Sequence, residues 1–326
     1  MSSPIRELKI GRYVCRNNMF LAPMAGITDG PFRALCIQGG AGVAVGEMVS
    51  SQGLFRGNKR TERMLHLRPE EKPAAVQIFG GEAPPIELAA RLACEAGADL
   101  VDINCGCPVK KIIRSGAGSD LMKDEFRFAA VVRAAVMSSS VPVTVKTRVG
   151  LKKGTILSVN LARIAEAEGA KALCLHGRYA EDVHSGPVDF DAVEKTCAAV
   201  RIPVIGNGGI KTAADASGFF SAGCSGIMIG RAAVGNPYIF RALEAEFSGG
   251  VFDCAEPRVR AAMFLGLVRQ NVLFYGEKTG VQRSKKVAGY WISGFPDCAR
   301  VRSAFVGFKT LAEVETLFAE EGLTAL

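Results

Sequence analysis

The chain has 326 residues, 48% hydrophobic and 22% charged, and its 40 Lys and Arg outnumber 32 Asp and Glu to give a net charge of +8. No stretch approaches the roughly 18 uninterrupted apolar residues of a membrane span, and the opening MSSPIRELKIGRYVC carries charges where a signal peptide has its apolar core, so neither a membrane protein nor a secreted one is expected. The basic balance, with a pI near 9.0, fits a polyanionic partner as well as it fits an ordinary enzyme.

In chain order, short apolar or β-branched runs recur and each is followed by a helical pattern. Met19–Met24, Gly42–Glu47, Ala74–Phe79 and Leu100–Asn104 are the first four; Val143–Thr147, Lys171–His176, Pro203–Gly206 and Gly226–Ile229 are the next four. Between them, Glu87–Glu95 and Asn160–Glu168 have apolar residues at three- and four-residue spacing, and glycines at 97, 169 and 223 read as helix-closing caps. Eight strand-then-helix units over about 240 residues predict a (β/α)8 TIM barrel, and near-continuous apolar strands fit parallel pairing buried on both faces. An open doubly wound sheet is less suitable, because no G-x-G-x-x-G follows the first strand. From about Arg241 the alternation stops, and Val259–Tyr275, Gln282–Trp291 and Leu311–Glu321 read as helices. The expected division is a catalytic barrel over 1–240 and a small all-helical domain over 241–326.

In such a barrel the active residues stand at the C-terminal ends of strands. Those ends carry Pro23, Met24 and Ala25; Glu47; Gln77; Asn104 and Cys107; Lys146; His176; Asn207, Gly208 and Gly209; and Gly230 with Arg231. Glycines after the seventh and eighth strands, with Arg231 beside them, suit a phosphate, although plain tight turns would look the same. Lys146 ends the run VTVK and should face the barrel mouth. There it can serve as a Schiff-base nucleophile, a phosphate contact, a charge for an electron-rich cofactor, or simply a solvated rim lysine.

Cys107, held between Gly106 and Pro108, can be a nucleophile, a proton donor or a packing residue. A thiol with the ordinary cysteine pKa of about 8.5 keeps its proton at neutral pH. Cys105 reads as packing. The chain has 10 cysteines without a C-x-x-C pair, and 3 histidines, which points to free thiols in a reducing cytosol and away from a structural metal. Residues 241–326 are nearly neutral, but Lys278, Arg283, Lys285, Lys286, Arg300 and Arg302 face only Glu277 and Asp297 within 277–302, a basic cluster able to grip phosphates.

Six segments together resemble one family. LAPMAGITDGPFR (21–33), DINCGCPVKKIIRSGAGSDLM (102–122), VKTRVG (145–150), LHGR (175–178), IPVIGNGGI (202–210) and IMIGRAAVGNPYIF (227–240) are similar to the tRNA-dihydrouridine synthases, most closely the bacterial B-type branch. The resemblance implies an FMN-binding barrel with a helical tRNA-binding domain, NADPH or NADH as reductant, and reduction of a D-loop uridine to 5,6-dihydrouridine. It implies that Pro23, Met24, Ala25, Gln77, Lys146 and His176 surround the flavin, and that Asn207, Gly208, Gly209, Gly230 and Arg231 hold its phosphate end. Cys107 matches the family's catalytic cysteine, the proton donor to the base. Lys110, Lys111, Arg114, Arg178, Lys285 and Lys286 are the expected RNA contacts. The chain is expected to act in the cytoplasm as a monomer without a metal.

Departures from the family pattern stand at Gly209, where Asp is common; at Tyr179, Ala180 and His184 after LHGR; and at Val287, where a His is usual. Two other readings stand beside this one: a related FMN oxidoreductase acting on a free pyrimidine or another small molecule, and an RNA-binding protein without catalysis.

Overall fold

A computed structural model describes residues 3–324 except residue 184 and residues 253–255. A hairpin comes first, β1 (Leu8–Ile10) and β2 (Tyr13–Cys15), paired antiparallel across Gly11 and Arg12. The barrel strands follow as β3 (Met19–Leu21), β4 (Val43–Val45), β6 (Ala74–Phe79), β7 (Leu100–Asn104), β8 (Val143–Arg148), β9 (Ala172–His176), β10 (Val204–Asn207) and β11 (Gly226–Ile229). A two-residue strand, β5 (Val49–Ser50), joins β6 at its upper end. Every barrel pairing is parallel, and β11 returns to β3 while β4 pairs with β6, so the sheet closes on itself. The eight expected strands are the eight observed.

Local sequence explains the helices that wrap it. Asp29 caps the Gly30–Gln38 helix, accepting the Phe32 N–H, and Pro31 suits its first turn. Thr212 and Asp215 form a reciprocal capping box on Ala213–Ser221, as Thr310 and Glu313 do on Leu311–Glu320. The three glycines expected to close helices, at 97, 169 and 223, all have positive φ. Ala83–Glu95, Glu125–Ser138, Ser158–Ala167 and Phe190–Ala198 complete the main barrel helices.

The core has two compartments. Apolar residues between strands and helices form the larger one. Inside the barrel, Phe20, Val43, Val45, Ala75, Leu100, Ala172, Cys174, Ile205 and Met228 pack against Leu8, Ile10 and Cys15 of the hairpin. The hairpin is thus a plug in the N-terminal mouth, a feature the sequence reading did not anticipate.

After Ile239–Phe247 comes the helical tail: Pro257–Tyr275, Glu277–Lys285, Ala288–Trp291, Cys298–Gly307 and Leu311–Glu320. The expected helix over 282–291 is broken at Lys286 and Val287, and Cys298–Gly307 is an additional one. Phe264 stacks on Trp291 with ring centres 5.9 Å apart and meets Phe305 edge-on at 5.3 Å, giving the tail an aromatic centre. Pro257–Tyr275 also packs on the barrel helix Gly30–Gln38.

Candidate active site

Strand register sets the site. Gln77 on β6 lies beside Asp102 on β7, Asn104 beside Lys146 on β8, and Arg148 beside His176 on β9, which in turn neighbours Asn207 on β10. Successive residues point to opposite faces of a strand, so Asp102 and Asn104, or Lys146 and Arg148, share the inward face. Asn104, Lys146 and Arg148 line a cavity of about 690 Å³ at the C-terminal mouth, a size suited to a small-molecule ligand. Pro23, Met24, Ala25, Gln77, Cys107, Lys146, His176, Arg178, Asn207, Gly208, Gly209, Gly230 and Arg231 all reach it. The structure therefore brings together every expected cofactor residue and the expected catalytic cysteine.

A hydrogen-bonded chain runs under this cavity. Thr144 Oγ1 and Gln77 Nε2 each donate to Asp102 at 2.6 Å, and Asn104 Nδ2 donates to Gln77 Oε1 at 2.9 Å. Asn104 Oδ1 accepts the backbone N–H of Gly106 at 3.2 Å and of Cys107 at 3.0 Å. The amide of Gln77 is thereby oriented, and the turn that carries Cys107 is pinned to the end of β7. Burial pushes the Asp102 carboxyl up to about 6, against the pull of Thr144, Gln77 and the Lys146 charge. Burial also pulls Lys146 down to about 8, and its Nζ donates to Asn207 Oδ1 at 3.1 Å. Asn207 Nδ2 donates in turn to Met228 O at 2.7 Å.

Arg148 is a site residue that sequence reasoning missed. Its Nε donates to Gly106 O at 2.8 Å, its Nη1 to Tyr179 O at 3.0 Å and its Nη2 to Val183 O at 2.7 Å, joining the Cys107 turn to the loop after β9. The signal was the period of two from Lys146, but the strand was expected to stop at Thr147. Tyr290, from the tail, also borders the cavity and carried no sequence signal. Cys105 is fully buried, and desolvation drives its thiol far up, in keeping with packing.

Glycine is required on the floor between β10 and the next helix. Gly208 has φ +140 and Gly209 φ +75, and a Cβ would stand 3.3 Å from His176 Cδ2 at the first and 3.0 Å from Arg178 Nη2 at the second. The departure at Gly209 thus sits directly against Arg178. Tyr179 and Ala180 are buried, with the Tyr179 hydroxyl donating to Asp189 Oδ2 at 2.7 Å, and His184 lies outside the described residues. Val287 is buried as well.

The expected RNA contacts do not line the cavity, apart from Arg178. Lys110, Lys111 and Arg114 are exposed on the turn just beyond Cys107. Lys285 is half-buried and Lys286 exposed at the end of Glu277–Lys285. The basic run over 277–302 is less free than its composition implied. Arg283 pairs with Asp29 and Glu47, Arg300 pairs with Glu321, and Arg302 donates to Ile292 O.

The dihydrouridine synthase (Dus) family model matches residues 20–323. The chain is 39% identical over 302 residues to tRNA-dihydrouridine synthase B of Pseudomonas putida, covering 91% of this chain and 89% of the relative. It is also 39% identical over 301 residues to the protein of that name from Pseudomonas syringae pv. tomato, with the same shares covered. Among solved structures, TcOYE with pHBA superposes with a TM-score of 0.57 at 13% identity, over 74% of this chain and 92% of that one; this likeness is one of fold.

Proposed function

The chain belongs to the dihydrouridine synthase family, and from that premise we propose that it reduces uridine to 5,6-dihydrouridine in the D-loop of tRNA, with FMN as cofactor and NADPH as reductant. The observation that carries the proposal is the convergence, in one cavity, of a glycine-and-arginine end, a Gln77–Lys146 end and the Cys107 thiol.

The residues fit FMN. At the glycine end, burial and the neighbouring Arg231 charge lower the Arg178 pKa, so the two guanidiniums stand close enough to disfavour each other. A phosphate dianion would relieve that repulsion and accept charge-assisted hydrogen bonds. At the other end, Gln77 has one amide proton on Asp102 and its oxygen taken by Asn104, which leaves its second amide proton for an acceptor on the ring.

Bound here and reduced by NADPH, FMN would supply the hydride for carbon 6 of the uracil. Lys146 places a positive charge beside the ring, where it favours the electron-rich form. The thiol of Cys107 delivers the proton to carbon 5, and Asn104 and Arg148 hold the turn from which it acts. A base inside a folded RNA must leave its stack to enter. Lys110, Lys111 and Arg114 beside Cys107, and Lys285 and Lys286 on the tail, are placed to hold the phosphates around it. The protein is proposed to work as a cytoplasmic monomer, its barrel over 1–240 catalytic and its helices over 241–326 gripping the RNA.

Nucleotide-resolved mapping of dihydrouridine in RNA from cells with and without the gene tests the reading. The expected result is loss of the modification at D-loop positions. A colourless purified protein, or a reduced one oxidised as fast by free uridine as by unmodified tRNA, would break it.

A further inference from the structure

Arg283, on the tail helix Glu277–Lys285, faces the barrel. Its Nε lies 3.1 Å from Asp29 Oδ2 and its Nη2 lies 3.0 Å from Glu47 Oε2. Its guanidinium carbon stands 4.4 Å from the centre of the Tyr275 ring. Both carboxylates have a second task at the barrel rim. Asp29 caps the Gly30–Gln38 helix, and Glu47 accepts the backbone N–H of Gly26 through its other oxygen. Gly26 directly follows Pro23, Met24 and Ala25, which form one wall of the cavity. It turns the chain at φ +77, with Lys286 Nζ 3.5 Å from where a Cβ would stand.

Each link in this path is specific in its chemistry. A guanidinium reaches two carboxylates and stacks on a ring with one planar group, whereas a lysine would satisfy a single oxygen cluster as a point charge. Asp29 and Glu47 have side chains only 7% and 18% exposed, so loss of their shared cation would leave two poorly hydrated carboxylates uncompensated. Glu47, freed from Arg283, would turn toward water and release the Gly26 amide.

We infer that Arg283 is a positioning residue for the cofactor cavity: through Glu47 it fixes Gly26 and the Pro23–Ala25 wall, so that the docking of the tail sets the environment of the flavin. This rests on the flavin reading above. It makes the tail more than an RNA grip, since a displacement of the helix that carries Arg283, Lys285 and Lys286 is transmitted to the cavity wall.

The test uses the full chain, freed of flavin and titrated with FMN, alongside amide hydrogen exchange over residues 22–29. Arg283→Met should weaken FMN by roughly tenfold, shift the bound flavin's visible spectrum and speed exchange at Gly26. Arg283→Lys, a point charge in place of the planar fork, should leave the spectrum and the Gly26 exchange altered. If Arg283→Met keeps parental FMN affinity, spectrum and Gly26 protection, and only its KM for tRNA rises, Arg283 belongs to the tail alone and the inference falls. Should Arg283→Met fail to fold, Glu47→Gln reads the same link. It offers one acceptor oxygen for two donors and should loosen the loop by a smaller factor, and an unchanged exchange pattern would overturn the inference. A parental protein that does not bind FMN would sink the flavin reading instead, while hydrogen exchange would still report on the Arg283–Glu47–Gly26 path.

Discussion

The two mouths of the barrel are built from the same strands and have opposite characters. Along the inward-facing positions, two residues at a time, Leu100 gives way to Asp102 and Asn104, Ala172 to Cys174 and His176, Ile205 to Asn207, and Met228 to Gly230. The lower layer joins the hairpin in a dry core; the upper one lines the cavity. Two to four residues of strand, about 7–13 Å of rise, separate them. A polar group in the lower layer would lose water without gaining a partner, while the upper layer can carry amides, a lysine and a histidine because the cavity is open. Asp102 sits at the border, and it is kept there by hydrogen bonds from Gln77 and Thr144. Changes above this border should therefore alter chemistry at little cost in stability, and changes below it should do the reverse.

The largest effect should come from the upper layer. Cys107→Ala should bind FMN and accept electrons from NADPH normally, melt with the parent, and form dihydrouridine about 100- to 10,000-fold more slowly in single-turnover assays with reduced enzyme and unmodified tRNA. Cys105→Ala, two residues away and buried, should run near the parental rate. A parental rate in Cys107→Ala would move the proton source elsewhere.

The lower layer gives the converse. Ile10 is fully buried in the plug, and Ile10→Ala should cost about 2–5 kcal/mol in urea unfolding, from lost transfer energy and the cavity left behind. FMN affinity of the folded fraction should not change. Weakened flavin binding at full stability would show that the two layers are coupled.

Next in size is Arg231→Ala, expected to weaken FMN by about 1.5–3 kcal/mol, the scale of a charge-assisted hydrogen bond. Removing the charge also relieves Arg178. Unchanged FMN affinity would remove Arg231 from the phosphate end.

The upper layer was legible in the sequence for the reason it works. Polar residues at the ends of apolar runs, such as Gln77 in AAVQIF, Lys146 in VTVK and His176 in KALCLH, have few structural reasons to be there. Arg148 escaped because it stood one residue past the expected strand end. The plug escaped because β1 and β2 have three residues each, too few for periodicity to speak. Arg283 was counted with the phosphate-gripping cations, and no local pattern could correct that. Its partners Asp29 and Glu47 lie 254 and 236 residues away and meet it only when the tail folds back onto the barrel. Charge counts over a window see neighbours in sequence, and the tail's charges are settled by neighbours in space.

The finest probe of the border is the titration of Lys146. An ordinary lysine titrates near 10.5, and burial brings this one down to about 8 in the folded protein. Between those values the unfolded chain holds a proton that the folded one has released, so the contribution of Lys146 to the stability of the flavin-free protein should grow with pH across that window and stay level below it. Lys146→Met has no such proton, and the difference in urea midpoint between parent and variant should change over the same window. Flavin affinity should move the other way. The Lys146 charge is present below about 8 and lost above it, so parental FMN binding should weaken as pH rises through 8, while Lys146→Met should bind more weakly throughout and without that step. If parent and variant keep a constant difference in both measurements, Lys146 does not titrate in this range, and its charge is held by Asn207 and Asp102 more firmly than burial opposes it.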